Sequence, residues 1–216
     1  MDFKHTEDSL FFDLQQTLDK ITEKAHRHAV HAVTFKERFF LQITYEGMVS
    51  GGFARGFPEA AKLLWHYLRR SGERLEINSE IYQTSAVVKL EMPRQKQRIG
   101  AALRSGRSEV RDVSGKLVTE QGNLRLKYAD NRFLLHSVTA KTTNGFCSTT
   151  WRVDNSYTFE GFKGNAHNWK AVSKWSEFPV RGHKIKVYDG LTKFLVNLGM
   201  AKEFPYYAAW VEQWKY

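Results

Sequence analysis

The sequence predicts an α+β fold: a helical N-terminal part over residues 1–106 packed on a C-terminal antiparallel sheet of about five strands over residues 107–216, in a single domain. Two observations predict the class. Apolar residues recur at three- and four-residue steps through the first hundred positions, whereas from Asn123 to Phe162 a two-residue period takes over. A third supports the single domain: no linker, low-complexity tract or repeat interrupts the 216 residues, and 42% apolar residues with 14% aromatics suffice to bury a sizeable core.

Taken in order, Leu10, Phe11, Leu14, Leu18, Ile21, Ala25, Ala29 and Ala32 mark an amphipathic helix over Ser9 to Ala32, with Asp8 and Ser9 as caps. His26, His28 and His31 fall on its last turns. The spacing of His28 and His31 sets two imidazoles on one face, and the macrodipole also favours histidines at a helix C-terminus. Phe35, Phe39, Phe40, Ile43 and Tyr45 continue a helix until Gly47, Gly51, Gly52 and Gly56, whose density predicts a flexible loop. Pro58 then opens a helix with the stripe Leu64, Trp65 and Leu68, stopped by Gly72. Leu75 and Ile77 predict a short extended piece. Asn78 and Ser79 cap a helix over Glu80 to Glu91 that Pro93 stops or kinks.

The stretch after Pro93 is cationic: Arg94, Lys96, Arg98, Arg104, Arg107 and Arg111 stand against Glu109 alone. Such a segment lies on anionic lipid, follows a phosphate backbone, or serves equally well as a solvated helix face. Val110 and Val113 opposite Leu117 and Val118 predict a hairpin around Ser114-Gly115. Leu124, Leu126 and Tyr128, and later Trp151 and Val153, alternate with charged residues, and breaks at 129–131 and 143–145 complete a three-strand meander. Beyond Gly161 an aromatic loop carries Trp169 and Trp175. Asp189 caps a short helix with Leu191, Phe194, Leu195 and Leu198, Gly199 stops it, and Tyr207 to Trp214 form a last strand of the sheet.

Thirty-three Lys and Arg against 23 Asp and Glu give a net charge of +10, which favours polyanionic partners: anionic lipid, an acidic protein or nucleic acid. The single cysteine, Cys147, excludes an intramolecular disulfide and reads as an inert buried residue. The first residues lack a basic and then apolar leader, and no apolar run reaches membrane-spanning length, so a product made in the cytoplasm without a Sec-type signal is expected. No phosphate loop, dinucleotide loop, zinc-protease helix, hydrolase elbow or paired CxxC occurs, and no cofactor or metal is called for. The polar cluster with catalytic potential is Asp154, Tyr157, Glu160, His167 and Arg181, in which a carboxylate and an imidazole near a strand end form an acid/base pair.

The order WRVDNSYTF, aromatic loop, LTKFLVNLGMAKEF and final strand resembles the carboxy-terminal part of bacterial toxins and effectors used in interbacterial competition, delivered by type VI secretion or acting as bacteriocins. Among enzymes it resembles colicin M-like bacteriocins, which cleave the lipid-linked cell-wall precursor with a D-x-Y-D segment and a downstream His-Arg. The likeness covers about the last 70 residues: Tyr157 matches the tyrosine and His167 the histidine, whereas Asn155, Thr158 and Asn168 replace the two aspartates and the arginine. An amide and a hydroxyl supply neither the negative charge nor the base of that reaction.

The resemblance and the departures together imply an antibacterial effector that damages or depolarises the target-cell inner membrane without covalent catalysis, in a pore-forming or related manner. Its partners would be a cognate immunity protein, the secretion apparatus and the anionic membrane surface. The contact residues expected are Arg94, Lys96, Arg98, Arg104, Arg107, Trp169 and Trp175. The competing readings are a colicin M-like phosphodiesterase using Asp154, Tyr157, Glu160 and His167, and a basic nucleic-acid-binding module, which no recognition motif supports.

Overall fold

A computed structural model of the chain describes residues 3–130, 132–180 and 183–216. The helices are α1 (Phe3–His26), α2 (Phe35–Ala54), α3 (Pro58–Leu68), α4 (Glu80–Gln83), α5 (Ala86–Arg104), α6 (Leu124–Ala129), α7 (Trp169–Val172) and α8 (Asp189–Asn197). The strands are β1 (Leu75–Glu76), β2 (Glu109–Val113), β3 (Leu117–Val118), β4 (Arg132–Phe133), β5 (Leu135–Lys141), β6 (Phe146–Tyr157), β7 (Trp175–Val180), β8 (His183–Tyr188) and β9 (Phe204–Lys215). The α+β class holds, with helices mostly N-terminal and a five-stranded sheet in the order β1-β9-β6-β5-β2. All its pairings are antiparallel except that of β1, which joins β9 in parallel. The chain divides into two compact units, one of Met1–Ala54, Leu64–Ser71 and Thr158–Glu203, the other of Arg55–Leu63, Gly72–Tyr157 and Phe204–Tyr216.

In the first unit, α1 packs on α8 and β8, burying Leu18, Ile21 and Ala25. The helix ends at His26, earlier than the stripe predicts, because His28 takes a left-handed φ of 53°. His28 and His31 therefore do not share a helix face, and positions 8 and 9 lie inside the helix and not at its start. A second correction concerns α2, which runs through Gly47, Gly51 and Gly52 to Ala54 where a loop was expected. Leu41, Thr44, Tyr45, Met48 and Val49 form its buried face, and that packing outweighs the poor helical propensity of glycine. Thr34 and Glu37 start it with a capping box: the Thr34 N–H donates to Glu37 Oε2 at 2.8 Å and the Glu37 N–H to Thr34 Oγ1 at 3.3 Å. Lys24 holds the same carboxylate at 2.7 Å.

On α8, Leu191, Phe194 and Leu195 are all buried, as is Leu198 at its C-terminal cap, as their spacing predicts. Thr192 is its anchor: its hydroxyl bonds Tyr45 Oη at 2.8 Å and its carbonyl accepts from Tyr67 Oη at 3.0 Å. Burial pushes the Tyr45 phenol above its ordinary pKa. Two departures remain here. The aromatic loop contains a short helix, α7, and the antiparallel pair β7–β8, and Trp65 is exposed, whereas Leu64 and Tyr67 beside it on α3 are buried.

In the second unit α5 covers one face of the sheet. Ile99 and Leu103 meet Val110 and Cys147 in a closed cluster. Gln95, fully buried, is satisfied there, donating to the Leu135 carbonyl at 3.0 Å and accepting from Ser137 Oγ at 2.7 Å. Cys147 is a core residue whose thiol burial shifts upward in pKa, consistent with an inert role.

Four expectations are corrected in this unit. Pro93 does not stop a helix: α5 begins at Ala86 and passes through it, because the proline lies on the exposed side. Leu124–Ala129 is a helix, since Asn123 Oδ1 caps the Leu126 N–H at 3.1 Å and Leu126 and Ala129 then share the buried side. The meander thus has two long strands, β5 and β6, joined through Asn144 and Gly145 at φ 61° and 77°. Val110–Val113 and Leu117–Val118 do not pair with each other but with β5 and β4 respectively.

Candidate membrane-contact surface

The outer side of α2 is the least usual surface of the first unit. Phe35 is 83% exposed, Phe39 57%, Ile43 53% and Phe53 51%, all on one helix whose other side is buried. At 3.6 residues per turn, Phe35, Phe39 and Ile43 line up as a stripe four residues apart, and Gly47 continues it with nothing within 4 Å of where a Cβ would stand. Lys36 lies exposed beside the stripe, and Glu46 accepts from Gln42 Nε2 at 3.0 Å. A helix apolar on both sides is ordinarily enclosed on both. Placing these four side chains in an apolar medium is worth on the order of 5 kcal/mol, given that they already rest in part on the protein. No helix among the described residues is long and apolar enough to cross a membrane.

The expected contact residues fare unevenly. Trp169 is 5% exposed, stacked on the His26 imidazole with ring centroids 4.8 Å apart and edge-on to Phe162 at 5.0 Å. Trp175 is at the surface, with the Lys186 ammonium 4.2 Å from its ring centroid. Along α5, Lys96 pairs with Glu212 at 2.5 Å, Arg98 with Asp112 at 2.8 Å and with Glu91 at 3.1 Å, and Arg94 stands 3.9 Å from Glu91. The guanidinium of Arg98 is held charged chiefly by Glu91. Arg104 and Arg107 are exposed. Much of the basic run is therefore neutralised by acids of its own unit.

The catalytic candidates are likewise occupied. Asp154 and Tyr157 lie on β6 in the second unit, three residues apart and so on opposite faces. Asp154 is bound by Arg152 Nε at 2.6 Å and by Arg74, and both guanidiniums flank the Tyr207 ring, at 5.1 and 4.6 Å from its centroid. Tyr157 packs against Phe204. Glu160 and His167 belong to the first unit. Lys163, at 2.6 Å, and Lys174 hold the Glu160 carboxyl down to about 2. His167 is exposed, its backbone N–H donating to Asn165 Oδ1 at 2.9 Å. Arg181 lies outside the described residues. Among the described residues no three His, Cys, Asp or Glu side chains gather as a metal ion would require.

The buried polar site that sequence reasoning missed centres on Asp130. Its carboxylate accepts from Tyr82 Oη at 2.9 Å and from Asn155 Nδ2 at 3.0 Å. Burial pushes it up to about 6, against the lowering effect of the hydrogen bonds from Tyr82, Tyr206 and Asn155. Asn155, read as a lost catalytic acid, is thus a structural donor to another acid. Nothing in the local spacing of residue 130 announces this, since its partners come from α4, β6 and β9.

No protein-family model, curated protein or solved structure matches the chain.

Proposed function

We propose that the protein is an antibacterial effector that acts at the inner membrane of a target cell, adsorbing to the anionic bilayer through the outer face of α2 and perturbing it without covalent catalysis. The observation that carries this reading is the exposed row Phe35, Phe39, Ile43 and Phe53 on one helix of a strongly cationic chain. Aromatic and aliphatic side chains of such a row sink into the headgroup and acyl boundary while net positive charge concentrates the protein at anionic lipid. Delivery by a contact-dependent apparatus such as type VI secretion, and a cognate immunity protein in the producing cell, follow from the effector reading. The ion pairs on Asp154 and Glu160 favour it over the phosphodiesterase alternative, because carboxylates clamped by two cations each are poor bases.

Expression in the periplasm with a voltage-sensitive dye tests it. Depolarisation and growth arrest are expected for the native chain, and Phe39→Glu with Ile43→Glu should remove both while circular dichroism stays unchanged. Toxicity restricted to cytoplasmic expression, or full activity in that double variant, would overturn it.

A further inference from the structure

β9 runs for 12 residues, Phe204–Lys215, and pairs with β6 along all of them, one residue to one. On its other side β1 covers only Tyr206 and Tyr207, the Ile77 N–H donating to the Tyr207 carbonyl at 2.9 Å. Backbone groups alternate in direction along a strand. The N–H and C=O of Ala209, Val211, Gln213 and Lys215 therefore point the same way as those of Tyr207, toward an edge that no strand among the described residues takes up. We infer that a second copy of the chain fills this edge: two β9 strands pair antiparallel about a two-fold axis at Glu212 and join two five-stranded sheets into one. The edge lies in the other unit from α2, so this dimer is independent of the membrane reading.

An edge strand is ordinarily guarded by shortness, charge, proline or a bulge. At the far end of the sheet β2 is five residues long and carries Glu109, Arg111 and Asp112, and β1 is two residues long. From Ala208 to Gln213 β9 has none of these guards. No proline or bulge interrupts it, and the charge of Glu212 is turned to the helix-covered face, where Lys96 holds it at 2.5 Å and Trp151 Nε1 donates to it at 3.1 Å. Val211, on the open face, is 65% exposed.

β1 and the side chains set the register. With the axis at Val211, Lys215 of each copy would fall level with Tyr207 of the other, where β1 already lies. With the axis at Glu212, Lys215 meets Ala209 and Gln213 meets Val211, so the outward groups of these residues are all paired and β1 is cleared. On the helix-covered side that register sets Trp210 of each copy opposite Trp214 of the other, at the non-hydrogen-bonded positions where cross-strand side chains come closest. Both indoles are half-buried within the single chain, Trp210 stacked on Trp151 with ring centroids 6.5 Å apart and Trp214 donating to Thr149 Oγ1 at 2.8 Å, so they are fixed before the partner arrives. The two Glu212 side chains come to the axis each already paired with its own Lys96, which offsets their repulsion. A foreign strand would satisfy the backbone alone, whereas β9 also supplies the matching tryptophans.

Sedimentation velocity and residue-resolved amide hydrogen exchange of the full chain over a concentration series are the test. The native chain is expected to pass from monomer to dimer in the micromolar range. The amides of Ala209, Val211 and Gln213 should slow by about tenfold or more from the dilute to the concentrated sample, whereas those of Trp210, Glu212 and Trp214, which bond to β6, should be slow in both. Val211→Pro removes an N–H that only the partner uses and leaves the β6 ladder whole, so it should weaken the dimer by about a hundredfold, acting twice across the axis, with an unchanged circular dichroism spectrum. Gln213→Pro should repeat that loss, and Val211→Thr, which keeps both the N–H and the strand propensity, should not. A native chain that stays monomeric to several hundred micromolar overturns the inference and leaves the edge to a strand of another protein. So does a dimer that survives both proline variants, or one in which the Val211 and Gln213 amides exchange freely. If a proline variant unfolds, the exchange pattern of the native chain decides alone.

Discussion

Tyr82 donates its phenolic hydrogen to the buried carboxylate of Asp130 at 2.9 Å, and burial nonetheless holds that carboxyl up at about 6. A carboxyl with a folded pKa above its ordinary 3.8 binds more protons in the native state than in the unfolded one. Its contribution is therefore fully present below about pH 4 and lost as pH rises toward 6, on the order of 3 kcal/mol in all. Burial shifts Asp189 in the same direction. Urea denaturation at pH 5 and pH 7.5 is expected to give the higher midpoint at pH 5, and Asp130→Asn should flatten most of that difference. An unchanged slope in the variant would refute the assignment.

Glu120 titrates with the opposite sign. Burial opposes its charge, but the Ala86 N–H at 3.0 Å, the Ser85 hydroxyl at 2.8 Å and the Asn123 amide at 3.1 Å together outweigh it, and its carboxyl falls to about 2. It is in effect the N-terminal cap of α5, supplied from 34 residues along the chain. Its stabilisation is present above the ordinary carboxylate range and is lost as pH falls through it toward 2. Glu120→Ala should cost about 1–2 kcal/mol at pH 7 in chemical denaturation, a difference that narrows below pH 3.

Pro93 lies inside α5 on its exposed side. It leaves the Lys89 carbonyl without a helical donor, at a cost of up to about 3 kcal/mol, of which the stiffer unfolded chain returns up to about 1. Pro93→Ala should raise stability by about 2 kcal/mol and the melting temperature by several degrees. A lowered melting temperature would mean that the ring itself is a packing element.

The class and the strongest elements were legible because their signals are local: the stripe of α8, the alternation of β6 and β9, and the proline and glycine that bound α3. What failed depended on distance. Alternation over Leu124, Leu126 and Tyr128 suits a strand, yet the Asn123 cap commits the segment to a helix, and Leu126 and Ala129 mark its inner side. Glycines at 47, 51 and 52 promised a loop until the buried face from Leu41 to Val49 held the helix together. The site was less legible still. Exposure of Phe39 and Ile43 is a property of what fails to cover them, Trp169 was spent on a ring stack with His26 and Phe162, and the second cation on each of Asp154 and Glu160, beyond the neighbouring Arg152 and Lys163, comes from Arg74 and Lys174, 80 and 14 residues away.

Those clamps lead to the last expectation. If Asp154 and Glu160 serve as ion-pair anchors, then Asp154→Asn, Glu160→Gln and His167→Ala should leave membrane activity intact. Exposed pairs of this kind contribute about 0–1 kcal/mol each, so the triple variant should fold and melt within a few degrees of the native chain. Dye-detected depolarisation of periplasm-expressing cells and vesicle flotation are the two readouts, and both should match the native chain. Loss of killing with vesicle binding retained would mean that one of these side chains does chemistry after the surface is reached, which returns the phosphodiesterase reading to first place. Single reversions to Asp154, Glu160 or His167 in the triple variant would then identify which group acts as the base.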